Sequence, residues 1–199
     1  MNQAADRGLR IRRACAQDAD ALADLAQAVA TLPLLQRYAV RAERLASDLA
    51  TLAQRQDDAS AAVPGEQLWL AQPDEDTQPG PARSLLGFAR VLLGPDRGSG
   101  QFGRGGYLRL IALRPGHGGK GVGARLLAAV EDAVRVCHPD LFLLTSDFNH
   151  GAQRFYERAG YVRVGALPDF VHAGITELIY WKRLPTPATA APVPRAQES

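Results

Sequence analysis

Residues 114–127, RPGHGGKGVGARLL, place five glycines between an apolar stretch and a segment with helical periodicity. Glycine loses more backbone freedom on ordering than any other residue, so this density implies that something approaches the main chain closely. Upstream, YLRLIAL (Tyr107–Leu113) reads as a central strand ended by Pro115. Downstream, VGARLLAAVEDAVRV carries Leu126, Leu127, Val130 and Val134 on one helical stripe. Strand, glycine-rich turn and helix N-terminus form an anion site, because backbone N–H groups and the helix dipole converge there; phosphate is the expected guest.

Three other readings of the run compete. A P-loop needs Gly-Lys followed by Ser or Thr, and Lys120 is followed by Gly121, so no hydroxyl is placed for magnesium. A dinucleotide fingerprint is met by Gly119, Gly121 and Ala124, with Asp147 downstream. Against it, Arg114 to Gly118 separate strand from first glycine, where that fold turns tightly, and the remaining chain is short for a second domain. The third reading is a merely flexible start to the helix, with Lys120 and Arg125 as solvated charges and His117 as a loop surface residue.

Working outward, GLRIRRA alternates apolar and basic residues as a half-buried first strand does. DADALADLAQAVA, from Asp18, and LLQRYAVRAERLASDLATLAQ, after Pro33, read as a pair of helices. EQLWLAQ and RSLLGFARVLLG read as strands joined by the turn-rich PDEDTQPGPA, and the glycine-rich loop GPDRGSGQFGRGG follows. LFLLTSD is nearly all apolar, as in a strand covered on both faces, and the helix before it makes it parallel to Tyr107–Leu113. NHGAQRFYERAG is a short helix ended by Gly160, and YVRVGAL and ITELIYWKRL are the last strands. Residues 185–199, a Pro/Ala-rich tail, cannot bury apolar surface and are expected to be disordered.

The chain has 199 residues, 46% of them hydrophobic, and a formal net charge of +2, which fits one globular domain. Only Lys120 and Lys182 among the 23 basic residues are lysines, a bias that points to a GC-rich, bacterial genome. The weak charge forms no basic block with interleaved aromatics, so no nucleic-acid partner is expected. MNQAADRGLR has no hydrophobic stretch of the signal-peptide kind and the apolar runs are short; the expectation is a cytoplasmic protein without a membrane partner. Cys15 and Cys137 show no metal spacing; they read as small core residues, and no metal is expected.

The order of elements from Leu9 to Leu184 resembles the GNAT superfamily of acyl-CoA-dependent N-acetyltransferases, implying one domain over residues 8–184. The family motif Q/R-x-x-G-x-G/A is matched at Gly118-Gly119-Lys120-Gly121-Val122-Gly123, except that Gly118 replaces the leading Gln or Arg. A second motif, an Asn followed by AxxFYExxGY, is matched by Asn149, Ala152, Phe155, Tyr156, Glu157, Gly160 and Tyr161. The resemblance implies an α/β (α+β) fold with a single mixed, mostly antiparallel sheet of about seven strands flanked by helices. It implies acetyl-CoA as cosubstrate, with the amides of Gly119, Lys120, Gly121, Val122, Gly123 and Ala124 on the pyrophosphate and Lys120 adding charge at the rim. It further implies that Ile111, Ala112 and Leu113 pair with the pantetheine amides where two parallel strands splay apart.

Asn149 and Tyr156 lie about two helical turns apart and can face one groove, with Asn149 also a good N-cap. Acyl transfer to an amine needs an uncharged amine, a stabilised oxyanion and a protonated leaving thiolate. Tyr156, protonated at neutral pH, is the candidate acid; it also reads as a core aromatic. Where many family members carry a glutamate, Arg109 stands; it suits a carboxylate on the acceptor or pairs with an internal acid. The base is left open among Asp147, Asp169, His172, Glu177 and a water chain. Tyr38, Phe170 and His172 are candidates to line the acceptor cleft, for a small-molecule or peptide amine. The sequence leaves open a homodimer and a non-catalytic CoA-binding or interaction module of the same fold.

Overall fold

The computed structural model describes residues 8–57, 65–74, 84–93 and 105–185. Most of the loops 73–82 and 94–106, and the tail beyond residue 185, lie outside them. Seven strands are described: β1 Leu9–Arg13, β2 Glu66–Pro73, β3 Gly87–Leu92, β4 Gly106–Leu113, β5 Asp140–Ser146, β6 Val162–Pro168 and β7 Thr176–Arg183. They form one sheet in the order β1-β2-β3-β4-β5-β7-β6. Every neighbouring pair is antiparallel except β4 and β5, which are joined through a helix and run parallel.

Among the described residues five α-helices cover the two faces: α1 Ala19–Ala30, α2 Pro33–Arg37, α3 Ala42–Asp57, α4 Val122–Arg135 and α5 His150–Arg158. Strand alternation divides the core between them. Leu22, Leu25 and Val29 of α1 and Leu45, Leu49 and Leu52 of α3 meet Leu68, Leu70 and Phe88 on one face. The apolar stripe of α4, Leu126, Leu127, Val130 and Val134, meets Ala89, Val91, Leu141 and Leu143 on the other, where Tyr156 of α5 joins it. None of the described helices is long and apolar enough to cross a membrane.

The expected second helix is two. The chain breaks after Arg37: Ala39 takes a left-handed φ of 51° and α3 begins at Ala42. The break lets α3 lie along α1 while Tyr38 turns toward the sheet. The cysteines are not core residues either: Cys15 is half-buried and Cys137 exposed. Cys137 would extend the stripe of Val130 and Val134, but α4 ends at Arg135 and the chain turns away.

Two irregularities in β4 shape the centre of the sheet. Val91 pairs with Leu108 and Arg90 with Leu110, so Arg109 is an extra residue, a β-bulge. The bulge reverses the alternation: Leu108 joins the core under α4, whereas Ala112, also an even position, joins the core under α1 and α3. In addition, β4 and β5 pair only from Gly106–Leu141 to Leu108–Leu143. Beyond that, β4 stays with β3 as far as Leu113 and β5 stays with β7 as far as Ser146, leaving a wedge between the parallel strands.

Candidate active site

At the open end of the wedge, the chain leaves β4 and enters the glycine run. Gly116, Gly119 and Gly121 hold φ values of +83°, +74° and +82°, a region that a side chain's Cβ disfavours. A Cβ built on Gly118, Gly119 or Gly121 would meet nothing within 4 Å, so the loop presents bare main chain to open space. Gly121 is the N-cap of α4 and no side chain caps the helix. The first intrahelical bond is Arg125 N to Gly121 O, 3.1 Å, so the amides before it have no acceptor within the helix. Unsatisfied donors and the positive end of the dipole converge at this loop, where Lys120 is exposed.

The strand end and α5 close around the same point. A Cβ on Gly123 would sit 3.6 Å from Leu113 and 3.6 Å from Phe155, so the start of α4, the end of β4 and α5 meet there. Ile111 and Leu113 are half-buried against the α4 core, and Ala112 is buried on the other face. The β4 edge from Arg109 to Leu113 that turns away from β3 faces the wedge without a partner strand. An extended ligand carrying amides fits such an edge.

Asn149 caps α5: its side chain accepts from Ala152 N at 3.2 Å. Tyr156, two turns on, is buried among Phe155, Tyr161 and Tyr180, with ring centroids 5.1, 5.7 and 6.3 Å away. Burial pushes its phenol well above the ordinary value, and Tyr107 of β4 pushes it further the same way. The group therefore stays protonated at neutral pH.

On the opposite face of the sheet, Tyr38 at the C-terminal end of α2 reaches two residues that face each other across β5 and β7. Its hydroxyl lies 2.6 Å from Ser146 Oγ and donates to Glu177 Oε1. Tyr38 has one proton, so Ser146 donates to Tyr38 and Tyr38 to Glu177. Burial first, and then the Glu177 carboxylate, push the Tyr38 phenol up to about 12. Glu177 is buried, at 3% exposure. Tyr107 stands on the same side of β4; burial raises its phenol, Glu177 adds to the rise and Arg109 opposes it.

Arg109, the bulge residue, has Nη1 3.7 Å from Glu66 Oε1, a carboxylate that Arg90 also holds. Its side chain is still 44% exposed. Phe170 is exposed in the loop between β6 and β7, away from this cluster's hydrogen bonds, and His172 meets Tyr38 edge-on at 6.3 Å. Asp147 and Asp169 are exposed, Asp169 accepting from Gly174 N at 2.6 Å. Ser146 and Tyr107 went unnoticed in the sequence. Only the β5–β7 register and the β4 bulge turn them toward Tyr38 and Glu177, and neither leaves a local signal.

The family model for the acetyltransferase (GNAT) family matches residues 33–161. Solved structures share the fold. A GNAT-family protein of Desulfovibrio desulfuricans is 24% identical with a TM-score of 0.65, over 89% of this chain and 99% of that one. A chain of the NatC complex bound to Gag peptide and CoA is 15% identical with a TM-score of 0.62, over 89% and 99%. The ribosomal-protein-S18-alanine N-acetyltransferase of Escherichia coli is 16% identical with a TM-score of 0.61, over 93% and 99%. No curated protein sequence matches the chain.

Proposed function

The chain belongs to the acetyltransferase (GNAT) family, and on that premise we propose that it moves an acetyl group from acetyl-CoA to a primary amine of a small molecule, amino-acid derivative or peptide. The amine attacks directly, without a covalent enzyme intermediate. One observation carries the reading: the wedge between β4 and β5 opens onto an uncapped, glycine-built helix N-terminus. A long donor with amides at one end and a pyrophosphate at the other matches that succession of an unpaired strand edge and a bare anion site.

In this reading the amides from Gly119 to Ala124 hold the pyrophosphate and Lys120 adds charge at the rim. The β4 edge at Ile111–Leu113 aligns the pantetheine arm, and Asn149 shapes the groove from the start of α5. Tyr156, at the buried end of that groove, gives its proton to the departing thiolate. Peptide acceptors are supported by two proteins of the same fold, one bound to Gag peptide and CoA and one named for the alanine of ribosomal protein S18. A cytoplasmic setting belongs to the same proposal.

The test is a thermal-shift comparison of acetyl-CoA, NAD and ATP, followed by thiol release from acetyl-CoA across a panel of amines. Stabilisation by acetyl-CoA alone, with thiol release that depends on an amine, is expected. Stabilisation without turnover on any amine selects a CoA-binding module instead, and stabilisation by NAD restores the dinucleotide reading.

A further inference from the structure

Building on the acetyltransferase reading, we propose that Glu177 is the acceptor's counter-ion and base: its carboxylate receives the protonated amine on the α1–α3 face of the wedge and takes its proton. Buried carboxylates need a cationic partner, because a desolvated charge without one is costly. Four other half-buried or buried acids obey this rule. Asp18 holds Arg12, Glu66 holds Arg90, Glu131 holds Lys182 and Asp140 holds Arg183. Glu177 is as buried as any of them, yet among the described residues it makes no ion pair and is met only by the Tyr38 hydroxyl. The missing cation is supplied by the ligand.

Its position fits that role. Leu178 and Tyr180 point into the α4 core, so Glu177 points to the opposite face. There it lies opposite Ser146, the last residue of β5 and the inner wall of the wedge. The chain of hydroxyls from Ser146 through Tyr38 ends on Oε1, and Oε2 has no donor among the described residues. Of the four acids and bases that the sequence offers, Asp147, Asp169 and His172 are exposed, and only Glu177 is withdrawn from water, one strand in from the wedge beside Ser146. Tyr156 belongs to the core on the far face, so base and acid reach the wedge from opposite sides.

The proton balance closes. The ammonium gives one proton to Glu177; the freed lone pair forms the C–N bond; the C–S bond breaks with its electrons going to sulfur. The second amine proton, lost as the amide forms, offsets the one that sulfur takes up. Glu177 then returns its proton to water.

Steady-state kinetics of the full chain with acetyl-CoA and a panel of spermidine, lysine, tyramine and an alanine-first peptide tests the proposal. Loss of a general base costs about 100-fold or more in rate, so Glu177→Gln is expected to lower kcat by that much while KM for acetyl-CoA stays within about twofold. Glu177→Gln with wild-type kcat and amine KM overturns it. Where that variant does not fold, Tyr38→Phe decides: it leaves the carboxylate but removes its donor, and should raise the amine KM roughly tenfold with acetyl-CoA KM unchanged. Unchanged amine kinetics in Tyr38→Phe also overturns the proposal. Wild-type protein that binds CoA but acetylates no amine instead removes the acetyltransferase reading on which this one rests.

Discussion

Gly106 at the start of β4 lies directly beneath Val134 of α4: a Cβ on the glycine would come within 2.6 Å of both Val134 methyl groups. This close approach seats α4 on the strand that borders the wedge. A β-branched side chain has no free end to swing aside, so Gly106→Ala must push the helix away. Overpacking of this kind costs about 1–3 kcal/mol. Urea denaturation of the variant should show a lowered midpoint with an unchanged slope; a midpoint equal to wild type would mean that α4 yields freely.

The glycine run separates shape from contact. Gly121 needs its left-handed φ, and a side chain there costs roughly 1–2 kcal/mol, so Gly121→Ala should lower both the melting temperature and the affinity for acetyl-CoA. Gly118 has no positive φ and open space around it. Gly118→Arg should leave stability alone and lower KM for acetyl-CoA roughly two- to fivefold, the scale of one exposed charge contact. An unchanged KM would show that position 118 does not face the pyrophosphate.

Tyr156 makes its packing contacts through its ring. Phenylalanine keeps the ring, so Tyr156→Phe should fold as wild type and bind CoA normally. Its kcat should fall about 100-fold, the size of a general acid's contribution. Turnover at the wild-type rate would take Tyr156 out of the acid role.

Asp18 ties β1 to the start of α1. It accepts from Arg12 Nη1 at 2.7 Å, Arg12 Nη2 at 2.6 Å and Cys15 N at 2.8 Å. Burial alone would raise its pKa, but the Arg12 guanidinium and the Cys15 amide outweigh it and hold the carboxyl below its ordinary value. A depressed carboxylate stabilises the fold above its unfolded pKa and loses that contribution as pH falls through the folded one. Asp18→Asn should therefore cost about 2 kcal/mol at pH 7, with the gap to wild type closing below about pH 4. A gap of constant size from pH 7 to pH 3, measured by denaturant titration, would rule out the charged form as the source.

The order of the elements was legible because each has a local cause. Leu126, Leu127, Val130 and Val134 recur at helical spacing, and all four are buried. The density of glycines in 114–127 marked an unusual main chain before α4, though not which of them would hold a positive φ; the structure gives it to Gly116, Gly119 and Gly121. Asn149, placed as a cap by its residue type, caps α5. The break at Ala39 was not legible, since residues on either side keep a helical pattern and only the turn of Tyr38 toward Ser146 and Glu177 requires it.

By itself, then, the sequence determined the succession of strands and helices apart from the break at Ala39, the bare glycine loop before α4 and the motif of α5, all written in residues within a few turns of one another. Tertiary structure alone decided the bulge at Arg109, the wedge between β4 and β5, and the partner of Glu177. Those depend on register between strands and on a hydrogen bond spanning 139 residues from Tyr38 to Glu177. The physical reason is that strand pairing chooses which side chains share a face and which buried charges find a partner. No local periodicity records that choice.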